Sequence, residues 1–245
     1  MPAPIERFVT DTGISIPAIT TDQMREVDRI AVEETGPNIF QMMENAGRNL
    51  TLQSIEALGD PWQDAEIVVL AGTGGNGGGG ICAARHLANR QGRVTVVLSN
   101  RAKLSEVTRF QHHVYQASPG RELELNELAQ VSADLIVDAV IGYSLSGVPT
   151  GAAGEMIDWA NASPAPVLAL DVPSGIDSST GEAFGTAIQP EWTMTLALPK
   201  TGLIPERTGA LYLADIGVPM TVYAKMGLEF VTPFNHRFRV PLTPE

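Results

Sequence analysis

Three segments of this chain carry residues that could bind and act on a charged small molecule. Gly72 to Gly80 holds seven glycines in nine residues, with Asn76 among them. Asp138 closes the apolar run Leu135-Ile136-Val137 and leads into Ala139-Val140-Ile141-Gly142-Tyr143-Ser144-Leu145-Ser146-Gly147. Asp171 closes Val167-Leu168-Ala169-Leu170 and leads into Val172-Pro173-Ser174-Gly175. Glycine lets a ligand approach the backbone with no Cβ in the way. The first N–H groups of a helix lack intrahelical partners and can donate to an anion. An acid at the end of a buried strand, followed by a turn of small residues, is fixed by the sheet and faces a crevice.

The elements that must hold these residues are legible as an alternation of strands and helices. Apolar runs predict strands at 66–71, 93–98, 134–140, 166–171, 192–198 and 210–214. Helical spacing predicts helices at 79–90, 105–117 and 151–162. Runs such as Val167-Leu168-Ala169-Leu170 are apolar at every position, as in a sheet covered on both faces. Strands joined through helices imply right-handed crossovers and a mostly parallel sheet. Upstream, Thr21 or Asp22 could cap a helix through Met24, Val27, Ile30 and Ala31. Gly36-Pro37-Asn38 breaks it, and a second helix covers Phe40 to Leu58. Residues 1–20 read as an irregular arm, and Ile176–Ile188 as a loop or hairpin excursion. No linker, repeat or low-complexity tract divides the chain. The expectation is therefore one α/β domain over 1–245, with its core at about 20–218 and an arm and a tail outside it.

In such a sheet, ligands bind beyond the carboxyl ends of the strands, where the strand order reverses. The glycine run, Asp138 and Asp171 all fall at strand ends. Familiar nucleotide patterns fit less well. No Gly-Lys-Ser/Thr follows the glycines, so a P-loop is excluded. Gly72-x-Gly74-x-x-Gly77 satisfies the dinucleotide pattern, but so glycine-rich a run matches it almost automatically. The next strand ends in Ser99-Asn100, with no acid for a ribose. Ser174 lacks a nucleophile elbow. Each feature also has a plainer reading: a surface loop for the glycines, and a helix cap or turn former for either Asp. Lys200, after Leu198-Pro199, reads as a solvated turn lysine. His86, His112 and His113 read as surface residues, and Cys82 as a small buried hydrophobe.

The net charge of −12 argues against nonspecific binding to nucleic acid or to anionic membranes, which needs a cationic field. The single cysteine, Cys82, allows no internal disulfide and no Cys-rich zinc site. The start Met1-Pro2-Ala3-Pro4-Ile5-Glu6-Arg7 lacks the basic and apolar regions of a signal peptide, and no apolar run approaches spanning length. A cytoplasmic protein is the expectation.

Together these segments resemble the YjeF N-terminal domain family, the NAD(P)H-hydrate epimerases, over roughly residues 20 to 218. Met24-Arg25-Glu26-Val27-Asp28 and Met43-Glu44-Asn45-Ala46-Gly47-Arg48 resemble the family's paired N-terminal helices. Gly72, Gly74, Asn76, Gly77, Gly78 and Gly80 match its glycine signature. The stretch from Asp138 to Gly147 resembles its Asp-Ala-x-x-Gly loop, and Asp171-Val172-Pro173-Ser174-Gly175 its Asp-x-Pro-Ser-Gly signature. The resemblance implies a Rossmann-like α/β/α sandwich, usually dimeric. It implies an isomerase that interconverts the R and S epimers of NADHX and NADPHX, with a hydrate dehydratase on a separate chain as functional partner. It implies that Asn76, Asp138 and Ser174 bind potassium, and their hard oxygens suit an alkali cation. Residues Gly75, Asn76, Gly77, Gly78 and Gly79, and the turn Gly142, Tyr143, Ser144, Leu145, Ser146, Gly147 and Val148, would cradle the substrate, with Asp171 hydrogen-bonded to it. Asp138 is the candidate acid–base. The chain departs from the signature at Gly75, where the family has Asn, and at Gly79, where it has Asp. Backbone donation survives both changes; side-chain contacts do not. A catalytically inactive homologue that binds a nucleotide-like ligand or acts as a scaffold is the rival reading.

Overall fold

The fold is taken from a computed structural model that describes residues 4–245. Its centre is a run of parallel strands: β3 (Glu66–Ala71), β4 (Arg93–Leu98), β5 (Arg121–Leu123), β6 (Leu135–Ala139), β7 (Val167–Leu170), β8 (Trp192–Leu196) and β9 (Ala210–Ala214). The antiparallel strands β1 (Arg7–Thr10), β2 (Ser15–Pro17) and β10 (Arg239–Pro244) extend it, giving the order β2-β1-β10-β9-β8-β7-β6-β3-β4-β5. From β3 the chain steps outward through β4 to β5, then returns to place β6 on the other side of β3. The strand order therefore reverses between β3 and β6, and a crevice opens at their carboxyl ends.

Helices cover both faces, which explains the unbroken apolar strands. In β3, Ile67, Val69 and Ala71 pack beneath the helices α2 (Ile39–Leu58) and α3 (Gly75–Ala88), against Leu50, Ile81, Ala84 and Leu87. Val68 and Leu70 point to the other face, against Met156, Ile157 and Ala160 of α5 (Ala152–Ala162). Helix α4 (Glu106–Tyr115) lies beside α3.

The arm forms β1 and β2 rather than an irregular segment, and the tail ends in β10 (residues 1–3 of the arm lie outside the described residues). Phe8, Ile16, Val240 and Leu242 from them join Leu211 and Leu213 of β9 in a separate core. Met24, Val27 and Ile30 of α1 (Thr21–Ile30) pack into that core, as do Val222 and Tyr223 of α7 (Met220–Lys225). A short helix, α6 (Pro205–Thr208), precedes β9. The cap of α1 is Thr20, one residue before the expected position, in a reciprocal pair with Gln23.

The glycine run is the first part of α3, not a loop ahead of it. Helix α3 begins at Gly75, four residues before the expected start at 79. Its glycines allow close approach. A Cβ on Gly77 would lie 2.0 Å from the carbonyl oxygen of Gly72, and one on Gly80 would lie 2.4 Å from the Ala139 Cβ. On α2, a Cβ on Gly47 would lie 2.4 Å from Cys82 Sγ. The helix thus packs against β3, β6 and α2 at distances no larger residue permits, which offsets the helical cost of glycine, about 1 kcal/mol each. Gly77→Ala is expected to lower stability by roughly 1–3 kcal/mol, because the obstacle is backbone. Gly74→Ala meets nothing within 4 Å and is expected to stay within about 0.5 kcal/mol. Chemical denaturation of the two variants checks the contrast.

Candidate active site

A cavity of about 430 Å³ opens at the carboxyl ends of β3, β6, β7 and β8. That volume lies in the range of small-molecule sites. The start of α3 supplies Gly74, Gly75, Asn76 and Gly79 to one wall. Val140, Ile141, Gly142, Tyr143 and Ser144 follow β6; Asp171 follows β7; Leu196 and Lys200 come from the end of β8 and beyond. Asp28 of α1 and Met43 of α2 complete it. No side chain caps α3, so its first N–H groups remain available at the cavity.

Asp171 sits at φ 67°, in the left-handed region, and the N–H of Val172 donates to the carbonyl of Leu170 at 2.9 Å. This tight γ-turn ends β7 and turns the carboxylate toward the crevice. Asp tolerates the conformation better than most residues. Asp171 Oδ2 accepts from the N–H of Tyr143 at 3.3 Å, and Oδ1 from the N–H of Leu196 at 3.2 Å. Oδ1 is also ion-paired with Lys200 Nζ.

Lys200 is fully buried, not a solvated turn residue. Besides Asp171, its ammonium donates to the carbonyl of Leu196 at 2.9 Å and to Thr195 Oγ1 at 3.3 Å, which satisfies all three N–H bonds. It also lies 5.9 Å from the centroid of the Tyr143 ring. A side chain on Gly142 would crowd the gap between Asn76 and Asp171, since its Cβ would lie 3.2 Å from Asn76 Oδ1 and 3.3 Å from Asp171 Oδ2.

Asp138 is held differently. It is fully buried and does not line the cavity. One oxygen accepts from the N–H of Ser174 at 2.8 Å; the other accepts from Ser174 Oγ at 2.6 Å and from the N–H of Val140 at 3.2 Å. Burial pushes its carboxyl up to about 6, against the lowering effect of those hydrogen bonds. No cationic side chain is paired with it among the described residues. The Asp138 carboxylate, the Ser174 hydroxyl and the amide oxygen of Asn76 are hard oxygens of the kind an alkali cation takes; the buried Nδ2 of Asn76, an N–H donor, has no hydrogen-bond partner.

The remaining expected contact residues divide. Gly75, Asn76, Gly79, Gly142, Tyr143, Ser144 and Asp171 line the cavity. Gly77 and Gly78 do not; Gly77 packs on Gly72, and Gly78 faces Thr108 and Met43. Leu145, Ser146, Gly147 and Val148 line a smaller adjoining hollow of about 260 Å³ that shares Ile141 and Ser144 with the main cavity. At Gly75, a Cβ would come no nearer than 3.7 Å to any atom, leaving room for a longer side chain; at Gly79, Leu170 Cδ2 already occupies the space, 2.8 Å from a would-be Cβ.

Two charged lining residues, Lys200 and Asp28, lie outside the set expected from the sequence. Lys200 carries a signal, a lysine four residues beyond an apolar strand. Asp28 carries none beyond its place on an amphipathic helix. Its Oδ2 accepts from the hydroxyl of Tyr143 at 2.6 Å. Burial pushes the Asp28 carboxyl up, while that hydrogen bond and the Lys200 charge pull the other way. Burial raises the Tyr143 hydroxyl as well.

Two histidines expected at the surface are also placed otherwise. His112 is 7 % exposed, with Nε2 2.9 Å from Glu122 Oε2. His86 Nε2 lies 2.7 Å from Glu44 Oε1, and Cys82 Sγ is 3.4 Å from Glu44 Oε2. The Arg85 guanidinium occupies the same cluster, 2.5 Å from Glu44 and 3.3 Å from Cys82 Sγ. Burial pushes the Cys82 thiol up to about 12. The cluster ties α2 to α3 through an ion pair, with Arg85 as its cation. Among the described residues, no helix is long and apolar enough to cross a membrane.

The comparisons agree with this architecture. The chain is 48% identical over 238 residues to the NAD(P)H-hydrate epimerase of Dehalogenimonas lykanthroporepellens, covering 97% of both chains. It is 35% identical over 223 residues to the bifunctional NAD(P)H-hydrate repair enzyme Nnr of Moorella thermoacetica, covering 84% of this chain and 41% of that one. The crystal structure of yeast ynu0, YNL200c, superposes with a TM-score of 0.76 at 22% identity, over 94% of this chain and 100% of that chain, a likeness of fold. Residues 39–202 match the family described as YjeF-related protein N-terminus, and the chain belongs to that family.

Proposed function

We propose that the protein is an NAD(P)H-hydrate epimerase, an isomerase that interconverts the R and S epimers of NADHX and NADPHX. The observation that carries this reading is the Asp171–Lys200 pair at the cavity beside the uncapped start of α3. The near-full-length likeness to a protein named for that activity supports it. In the hydrate, water has added across a nicotinamide C=C bond, and the carbinol carbon adjoins the ring nitrogen. The nitrogen lone pair expels the hydroxyl as a proton reaches it, leaving an iminium. Water then adds to the other face and loses a proton. Asp171 is the carboxylate placed for this exchange, with Lys200 holding it and Tyr143 fixing its second oxygen. The proton role passes to it from Asp138, because Asp138 is fully buried and does not line the cavity. The N–H groups of α3 and the turn after β6 supply donors for the phosphates and ribose.

Potassium is the proposed cofactor, held by Asn76, Asp138 and Ser174. It would supply fixed positive charge under the turn that carries Gly142 and Tyr143, and so stiffen that wall. Asp138→Asn is expected to abolish potassium activation and to lower turnover about tenfold or more, as disruption of ligands around a metal commonly does. Epimerisation rates across a potassium titration, with sodium as control, check this. The resemblance also proposes a homodimer, a cytoplasmic location and a hydrate dehydratase acting in sequence. The likeness to bifunctional repair enzymes supports that last partner. The activity is tested by incubating the purified protein with separated NADHX epimers, with and without potassium, and following the epimer ratio by chromatography. Accelerated equilibration is expected. Binding without acceleration would favour the inactive, ligand-binding homologue.

A further inference from the structure

Resting on the epimerase reading, we propose that Asp28 is a second catalytic acid–base, serving the ring face opposite to the one served by Asp171. Inversion requires a hydroxyl to leave one face of a flat ring and water to enter at the other. A carboxylate fixed on one side reaches only one of those events. Two carboxylates line this cavity, and they come from different layers: Asp171 from a strand end and Asp28 from α1. They are bonded to opposite ends of one tyrosine. The backbone N–H of Tyr143 donates to Asp171 Oδ2 at 3.3 Å, and its hydroxyl donates to Asp28 Oδ2 at 2.6 Å. The two acids are thus held through opposite ends of Tyr143, and all three residues line the cavity. Their environments differ as an acid and a base require. Asp171 is ion-paired with Lys200. Asp28 has no ion-pair partner among the described residues, and burial favours its protonated form.

The step balances without any further reactant. Protonated Asp28 gives its proton to the departing hydroxyl, the C–O bond breaks, and the ring nitrogen's lone pair forms the C=N bond of the iminium. Water attacks the opposite face, and the C=N pair returns to nitrogen. Asp171 takes the proton that the incoming water loses. The opposite epimer is processed by the same path reversed, from the enzyme form in which Asp171 holds the proton. Exchange with solvent water resets the pair.

Tyr143, Lys200 and Asp171 are the groups facing Asp28 from the sheet side. Tyr223 faces it from α7, and Arg25 adjoins Tyr143 from α1 itself. The test compares wild type, Asp28→Asn and Tyr143→Phe on separated NADHX epimers in both directions, with NADHX binding and thermal unfolding measured alongside. Asp28→Asn is expected to lower kcat about 10²–10⁴-fold in both directions while retaining NADHX binding. Tyr143→Phe removes a hydrogen bond that lowers the Asp28 carboxyl, so one limb of its kcat–pH profile is expected to move to higher pH. A folded Asp28→Asn that epimerises at the wild-type rate overturns the assignment. If Asp28→Asn fails to fold, the Tyr143→Phe profile decides, and an unmoved limb overturns it. A wild type that binds NADHX and equilibrates neither epimer instead rejects the epimerase reading.

Discussion

Asp171→Asn is expected to bind NADHX and to equilibrate its epimers about 10²–10⁴-fold more slowly than wild type. Asparagine suits the backbone of the site, although it leaves the buried Lys200 ammonium facing a neutral partner. It tolerates the left-handed backbone at φ 67°, and its carbonyl oxygen can still accept from Tyr143 or from Leu196. What it cannot do is take a proton from incoming water. The effect should therefore fall on kcat rather than on KM. Initial rates on each purified epimer, across a range of concentrations, make the distinction. A rise in KM alone would mean that Asp171 only positions the ring.

Lys200→Met is expected to destabilise the fold by roughly 3–5 kcal/mol, the usual cost of leaving half of a buried ion pair behind. The Lys200 ammonium is fully buried, so bulk water does not fill its place beside Asp171 Oδ1. Methionine fills the hydrocarbon space but offers Asp171 no partner. The double variant Asp171→Asn/Lys200→Met is expected to recover much of that loss, because no charge is then left alone, and to remain inactive. Denaturant unfolding of the two single variants and the double variant gives the coupling directly. Additive losses would show that the pair does not act as a unit.

Much of this candidate site is legible in the sequence. Asp138 and Asp171 end apolar runs, and the strand-end rule locates ligands there. Ser174 and the turn after β6 came with them. The glycine run was misread in one respect. Helix propensity disfavours glycine, so residues 75–78 read as a loop, whereas contacts to Gly72, Met43 and Thr108 make them helical. Tertiary packing overrode a local preference. Strands β1 and β2 are only four and three residues long and leave little trace; β10 joins them through a partner far away in sequence, Phe8 pairing with Pro244. Those strands build the core that seats α1, and so they place Asp28 at the cavity. Asp28 was invisible as a functional group for that reason. Lys200 was misjudged because a lysine after a proline usually faces water. Here the turn at Ala197, φ 61°, and a backbone bridge between Lys200 and Ile19 accompany its burial against Asp171, Thr195 and Leu196 at the ends of β7 and β8.

The central claim is that the cavity between the start of α3, Tyr143 and Asp171 receives the hydrated nicotinamide ring. A crystal structure of the Asp171→Asn protein with NADHX tests it most directly. The prediction is a ring in that cavity, with its carbinol carbon facing residue 171 and its oxygen within hydrogen-bond reach of that side chain or of Asp28, roughly 2.6–3.2 Å. A ring bound elsewhere, or one seated in the cavity with the carbinol turned away from both residues, would contradict the account.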